Sequence, residues 1–235
     1  MHFHPLASIN FIYLLQTSLR TEHPLNITLN NTGKRYNREW IFRYLSYEFL
    51  QGKSYAITGA NGSGKSTLLQ VIAGAVMHSE GSLDYYNTTD HRPRITDKGQ
   101  PEKAYQQISI AAPYLEPIEE MTGKEFLEFH SVFKNLKTSI SEILSAVGLA
   151  RAADKQIRYY SSGMKQRLRL AQAFFSETSV LLLDEPLTNL DEEGIAVYKK
   201  LWDELTPNRL VIVSSNDMQE YEKCESLIAI SDYKG

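Results

Sequence analysis

The sequence predicts an α/β fold carrying an inserted helix-rich stretch, on three observations. Apolar runs with strand character alternate with segments of helical periodicity. A glycine-rich loop, Gly59-Ala60-Asn61-Gly62-Ser63-Gly64-Lys65-Ser66-Thr67, stands between a candidate strand, Ser54–Thr58, and a candidate helix, Thr67–Ala73. Lys65 of that loop and Asp184 of an acidic pair lie 119 residues apart, more chain than a simple nucleotide core needs. The intervening residues, about 113–163, read as a helical subdomain inserted in a domain spanning 25–235.

In chain order, residues 1–24 show no clear periodicity. They read as an extension of uncertain order: a disordered arm, a helix docked elsewhere, or translation from an upstream start. Strands are expected at Asn26–Leu29, Ser54–Thr58, Ile108–Ala111, Val180–Leu183, Leu210–Val213 and Leu227–Ile230. Several are continuous apolar runs, as expected of strands covered on both faces. Tyr86–Lys103, with Pro93, Gly99 and Pro101, reads as an exposed, mobile loop. Thr122-Gly123-Lys124-Glu125 reads as a capping box opening a helix whose Phe126, Phe129, Phe133 and Leu136 face the core. Ser139-Ile140-Ser141-Glu142 reads as a second box, with Ile140, Ile143, Leu144 and Val147 at helical spacing and Gly148 ending the helix. Ile195, Tyr198, Leu201, Trp202 and Leu205 mark a third amphipathic helix.

Composition narrows the function. Apolar residues make up 42% and charged residues 23%, ordinary for a water-exposed globular domain. A net charge of −3 gives no support to general nucleic-acid binding. Cys224 is the only cysteine, so no intrachain disulfide can form, and a reducing cytosol fits. No apolar run approaches bilayer-spanning length, and the early run around Phe11–Leu15 lacks the charged leader of a secretory signal. The chain ends soon after its last expected strand, leaving no room for a large regulatory domain.

The glycine loop carries the most chemistry. Strand, glycine turn and helix let backbone N–H groups wrap a polyphosphate at a helix N-terminus. Gly59, Asn61, Gly62, Ser63, Gly64, Lys65, Ser66 and Thr67 are thus candidate phosphate-binding residues, with Lys65 on the outer phosphates and the Ser66 hydroxyl on Mg²⁺. Val180-Leu181-Leu182-Leu183-Asp184-Glu185-Pro186 is an apolar strand ending in two carboxylates, where ligands bind in open α/β sheets. Asp184 is a candidate for Mg²⁺, directly or through water. Glu185 is a candidate to orient the attacking water or act as its base. Tyr160-Ser161-Ser162-Gly163-Met164-Lys165-Gln166-Arg167-Leu168 offers a second set of free N–H groups. One triphosphate rarely needs two such sites in one protomer, but a head-to-tail dimer does. The plainer alternative is a serine-capped helix with a solvated basic face at Lys165, Arg167 and Arg169.

These three segments, in their chain order Gly59–Thr67, Tyr160–Leu168 and Val180–Pro186, resemble the ATP-binding subunits of ABC transporters. GANGSGKST is similar to their Walker A, VLLLDEP to their Walker B with its catalytic glutamate, and SSGMKQR to a variant of their LSGGQ signature. Leu187-Thr188-Asn189-Leu190-Asp191 resembles the D-loop, with Asp191 a candidate at the nucleotide. The resemblance implies a P-loop NTPase core, RecA-like, with a mostly parallel sheet and an antiparallel β part. It implies ATP and Mg²⁺ as cofactors, hydrolysis in a dimer with a second ATPase subunit, and an integral membrane transporter subunit as partner. It also implies a cytoplasmic location, peripheral on the inner face of the membrane. Tyr36 takes the place of the aromatic ring that stacks on adenine, with Trp40 the lesser candidate. The chain departs from the family pattern at Ala112-Pro113-Tyr114-Leu115, where a glutamine is expected, and Gln106 and Gln107 lie too early to replace it. Asn216 stands where a catalytic histidine is expected. It can donate a hydrogen bond but cannot become charged, so slower or differently coupled hydrolysis is expected. The resemblance also suggests Pro113–Met121 as the docking loop, with Tyr114, Leu115 and Ile118 as apolar contacts or, alternatively, internal packing. A soluble ATPase of the same type, in cofactor assembly or as a slow nucleotide switch, is the alternative function.

Overall fold

The computed structural model describes residues 25–87, 93–95 and 105–234. The expectations for residues 1–24, and for most of the loop expected at 86–103, lie outside the described residues.

The strands form two sheets. Strands β1 (Leu25–Tyr36), β2 (Glu39–Phe49), β4 (Glu80–Asn87) and β5 (Pro93–Ile95) make an antiparallel sheet in the order β2-β1-β4-β5. Strands β6 (Ile108–Ala111), β7 (Val180–Asp184), β8 (Leu210–Ser214), β3 (Ser54–Thr58) and β9 (Ser226–Ala229) make a parallel sheet in that order. The fold is thus an α/β core with a parallel sheet and an antiparallel β part. Sequence reading located all five parallel strands, whose runs are apolar on both faces. Along β7, Val180 and Leu182 pack with the antiparallel sheet, while Leu181 and Leu183 pack with the helices on the other side.

Two expectations fail in the antiparallel sheet. Sequence reading foresaw only the start of β1 and nothing of β2. Tyr44 sits in a left-handed conformation (φ 57°), and the β1–β2 register shifts three times. Each irregularity resets the period of two, so apolar alternation never runs long enough to read. The loop expected at Tyr86–Lys103 instead contributes the end of β4 and all of β5.

Between β6 and β7 lie α2 (Gly123–Ser131), α3 (Ile140–Ala146) and α4 (Ser162–Phe175). Both capping boxes form. Thr122 Oγ1 accepts from the Glu125 N–H (3.1 Å), and Glu125 returns the bond to the Thr122 N–H (2.8 Å). Ser139 and Glu142 do the same. The expected core stripe on α2 holds in part: Phe126 and Leu136 pack against the core, half-buried, while Phe129 and Phe133 do not. Leu127 and the small Gly123, not Phe129 and Phe133, form its buried face. The helix ends at Ser131, before the stripe can complete a second turn. Phe129 and Phe133 instead lie edge to face at 5.2 Å on the surface.

At the edge of the parallel sheet where its strands begin, Arg209 is fully buried. It donates to Phe174 O (3.0 Å), Ser109 Oγ (2.8 Å) and Thr178 Oγ1 (2.6 Å), tying α4 to the starts of β6, β7 and β8. Nearby, Ser176 spends its hydroxyl hydrogen on Gln172 O (2.6 Å), so His130 Nε2, 2.8 Å from Ser176 Oγ, acts as the donor. Burial, with the Lys134 ammonium, lowers the His130 imidazole to about 4. Between pH 6.5 and 4 the unfolded chain therefore binds more protons at this site, and stability falls as pH drops through that window. Urea unfolding across pH should show this decline, and His130→Gln should flatten it.

Candidate active site

Strand order brings the motifs together. Parallel strands β3, β8 and β7 are neighbours, so all their carboxyl ends lie at one edge of the sheet. Past β3 runs the glycine loop, past β8 runs Ser215-Asn216, and past β7 comes Glu185. Helix α1 (Lys65–Ile72) opens directly from the loop, with Gly64 as its N-cap. These parts enclose an open cleft of about 210 Å³ lined by Ile41, Asn61, Gly62, Gly64, Lys65, Ser66, Thr67 and Glu185.

The loop's shape depends on glycine at Gly64, whose φ of 103° suits no other residue. A β-carbon there would meet Ile41 Cγ2 at 2.3 Å. Lys65, almost fully buried, folds back along the loop. Its ammonium donates to Gly59 O (2.9 Å) and Ala60 O (3.2 Å).

The acidic pair divides by environment. Asp184 ends β7 and is 2% exposed. Burial pushes its carboxyl up, the neighbouring Ser214 and Ser66 hydroxyls pull it down, and Glu185 raises it further. Asp184 Oδ1, Ser214 Oγ and Ser63 Oγ are buried without a hydrogen-bond partner. Unpartnered oxygens on the glycine loop and at the ends of β7 and β8 fit a ligand that satisfies them, and the Asp184 carboxylate beside Ser66 fits a hard divalent cation. Among the described residues no group of three His, Cys, Asp or Glu side chains could hold a metal ion. Glu185 adopts a left-handed backbone (φ 45°), anchored by its N–H to Ser214 O (2.9 Å). Such strain in a non-glycine residue collects at functional sites, and here it accompanies a carboxylate that lines the cleft.

Asn216 Nδ2 donates to Asn61 Oδ1 at 3.0 Å, linking the end of β8 to the glycine loop. Tyr36 stands at the β1–β2 turn, half exposed, with the Lys34 ammonium 4.8 Å from its ring centroid. Trp40 is flanked by the guanidinium groups of Arg43 (4.2 Å) and Arg35 (5.4 Å). Neither lines the cleft; Ile41 does, a residue that sequence reading missed.

The remaining candidates lie elsewhere. Ser161 caps α4, its Oγ accepting from the Met164 N–H (3.2 Å), and Ser161 and Ser162 are exposed. Gly163 packs on the Asn189 carbonyl, which a β-carbon would approach to 3.0 Å. Asp191 caps helix α5 (Glu192–Leu205), accepting from the Gly194 N–H (2.9 Å). The basic face expected on α4 is only partly solvated. Arg169 is buried and donates to Leu115 O (3.1 Å) and Gln166 Oε1 (2.7 Å), while Gln166 donates to Pro186 O (2.8 Å). This chain of bonds joins the Pro113–Met121 loop to the segment after Glu185, and no motif announced it. Glu220, likewise missed, accepts the Leu187 N–H (2.8 Å) and holds the segment that leads to Asp191.

The comparisons agree with this arrangement. The family model described as ABC transporter matches residues 42–188. A relative from Bacillus subtilis (strain 168), "Uncharacterized ABC transporter ATP-binding protein YybJ", is 32% identical over 83% of this chain and 87% of its own length. "Cytochrome c biogenesis ATP-binding export protein CcmA" from Vibrio parahaemolyticus is 30% identical over 74% of this chain and 82% of its own length. Among solved structures, a dimeric ATP-binding cassette in a post-hydrolysis state with ADP and Pi matches with TM-score 0.72 and 22% identity, covering 88% of this chain and 94% of that one. A putative ABC transporter ATP-binding protein from Pyrococcus furiosus matches with TM-score 0.72 and 20% identity, over 89% of this chain and 100% of that one. At such identities these structures speak for the fold. The chain belongs to the ABC transporter family, as an ATP-binding and ATP-hydrolysing subunit.

Proposed function

We propose that this subunit hydrolyses ATP in a head-to-tail dimer and passes the closing and opening of that dimer to a separate membrane subunit. The observation that carries the reading is Glu185, held in a strained backbone and facing the same cleft as Lys65 and Ser66. In this reading Gly59–Thr67 bind the polyphosphate through their N–H groups, and Lys65 turns from the loop carbonyls to the outer phosphates. Ser66 and Asp184 would hold Mg²⁺, which supplies charge neutralisation on the phosphates when bound. Glu185 orients the attacking water and takes its proton. Ser161 and Ser162, exposed at the start of α4, and the half-buried Gly163 cap the nucleotide of the partner subunit, and Asp191 lies at the same interface. Tyr36 offers its open ring face to adenine.

The membrane subunit docks on the Pro113–Met121 loop. Tyr114, Leu115 and Ile118 are each more than two-fifths exposed there. No helix among the described residues is long and apolar enough to cross a membrane. A separate membrane component suits that observation, and with it a peripheral location on the cytoplasmic face.

Mg-ATP hydrolysis with light scattering tests this reading, followed by membrane fractionation. Turnover with an ATP-stabilised dimer is expected, and so is recovery in the membrane fraction. ATP binding without dimerisation or hydrolysis would favour the nucleotide switch. Turnover by a protein that stays soluble would favour cofactor assembly.

Asn216 makes a finer prediction. Its bond to Asn61 is solvent-exposed, so Asn216→Ala should lower turnover about 2- to 10-fold, the worth of one such bond. Unchanged steady-state turnover would remove Asn216 from the mechanism.

A further inference from the structure

The last described segment returns to the glycine loop. After β9 the chain makes a 3₁₀ turn, Ile230–Tyr233, and reaches Lys234. Ile230 is fully buried beneath the loop: its Cγ2 lies 2.8 Å from where a β-carbon on Gly59 would sit, and its Cδ1 3.5 Å from one on Gly64. The Lys234 ammonium donates to Ser63 O at 2.7 Å and to Ile41 O at 3.1 Å. One cation thus joins the glycine loop to the β2 residue that lines the cleft.

The Ser63 carbonyl shares its peptide plane with the Gly64 N–H. In a trans peptide the two point in opposite directions, so fixing the oxygen fixes where the hydrogen points. A cation on the oxygen also polarises the peptide and makes its N–H a stronger donor. We propose that Lys234 is a positioning residue of the nucleotide site, aiming and polarising the Gly64 N–H toward the substrate polyphosphate from outside the cleft. Lys65 does a different job: its ammonium lies on Gly59 O and Ala60 O, inside the cleft lining, and in the proposed function it turns to a phosphate. Lys234 acts on the loop's shape and touches no substrate atom. Its ammonium is solvent-exposed, so the effect is a few-fold one.

This inference rests on the cleft binding ATP and ADP, and its test separates the two. Titrate Mg-ATP and Mg-ADP into the wild type, Lys234→Met and Lys234→Arg, and measure KM, kcat and Tm for each. The expected result for Lys234→Met is about 3- to 10-fold weaker binding of both nucleotides and a matching rise in KM. Its kcat and Tm should stay close to wild type, and Lys234→Arg should recover most of the affinity. Wild-type affinity in Lys234→Met would overturn the proposal and leave nucleotide binding intact. So would a loss that follows a lowered Tm and is not recovered by arginine. A wild type that binds neither nucleotide would overturn the binding reading itself, and this inference with it.

Discussion

Glu185→Gln is expected to cut steady-state ATP turnover by about 10²- to 10⁴-fold, the range typical of a lost general base. Glutamine keeps the length, shape and carbonyl oxygen of the side chain but cannot accept a proton as a carboxylate does. The backbone anchor is the Glu185 N–H on Ser214 O at 2.9 Å, which the substitution leaves in place. ATP affinity should therefore stay within about threefold of wild type, the signature of an interaction made only in the transition state. Because hydrolysis would release the dimer, the variant should accumulate as an ATP-bound dimer in light scattering. Wild-type turnover in Glu185→Gln would remove Glu185 as base and direct attention to the buried carboxylates Asp184 and Glu220, whose charges Glu185 feels.

Much of this site was legible because its chemistry is local. The glycine loop, the apolar strand ending in Asp184-Glu185 and the serine-capped α4 are contiguous stretches, and parallel strands project their carboxyl ends to one edge. The capping boxes were legible for the same reason, each being complete within four residues. Long-range parts were not. Ile41 reaches the cleft from a strand whose alternation is broken at Tyr44, and Lys234 touches Ser63 across 171 residues. Arg169 reads as a member of a solvated basic face, yet burial makes it, with Gln166, a connector. Phe129 and Phe133 failed in the opposite direction. Apolar spacing fixes which side chains share a face, while the helix's length and neighbours decide whether that face is covered.

Gly64→Ala should strongly weaken nucleotide binding. Two costs combine. At φ 103° an alanine leaves the allowed region for L-residues, which costs about 1–3 kcal/mol. Its β-carbon would also stand 2.3 Å from Ile41 Cγ2, so either the loop or β2 must shift, at about 1–3 kcal/mol for an overpacked contact. Ile41 has little room to yield, because its carbonyl is held by Lys234 and its strand packs into the core at Phe42 and Leu45. The loop should give way instead. If it moves, the Gly64 N–H loses its aim and the start of α1 is displaced with Ser66 and Lys65. The expected outcome is ATP affinity about 10²-fold weaker, each 1.4 kcal/mol being a factor of ten, with a smaller loss in Tm. Ile41→Ala in the same chain should restore part of the binding by removing the clashing Cγ2. The angular cost stays behind, so recovery should be incomplete. Full recovery would mean that the contact alone sets the loop, and no recovery would mean that the backbone angle does.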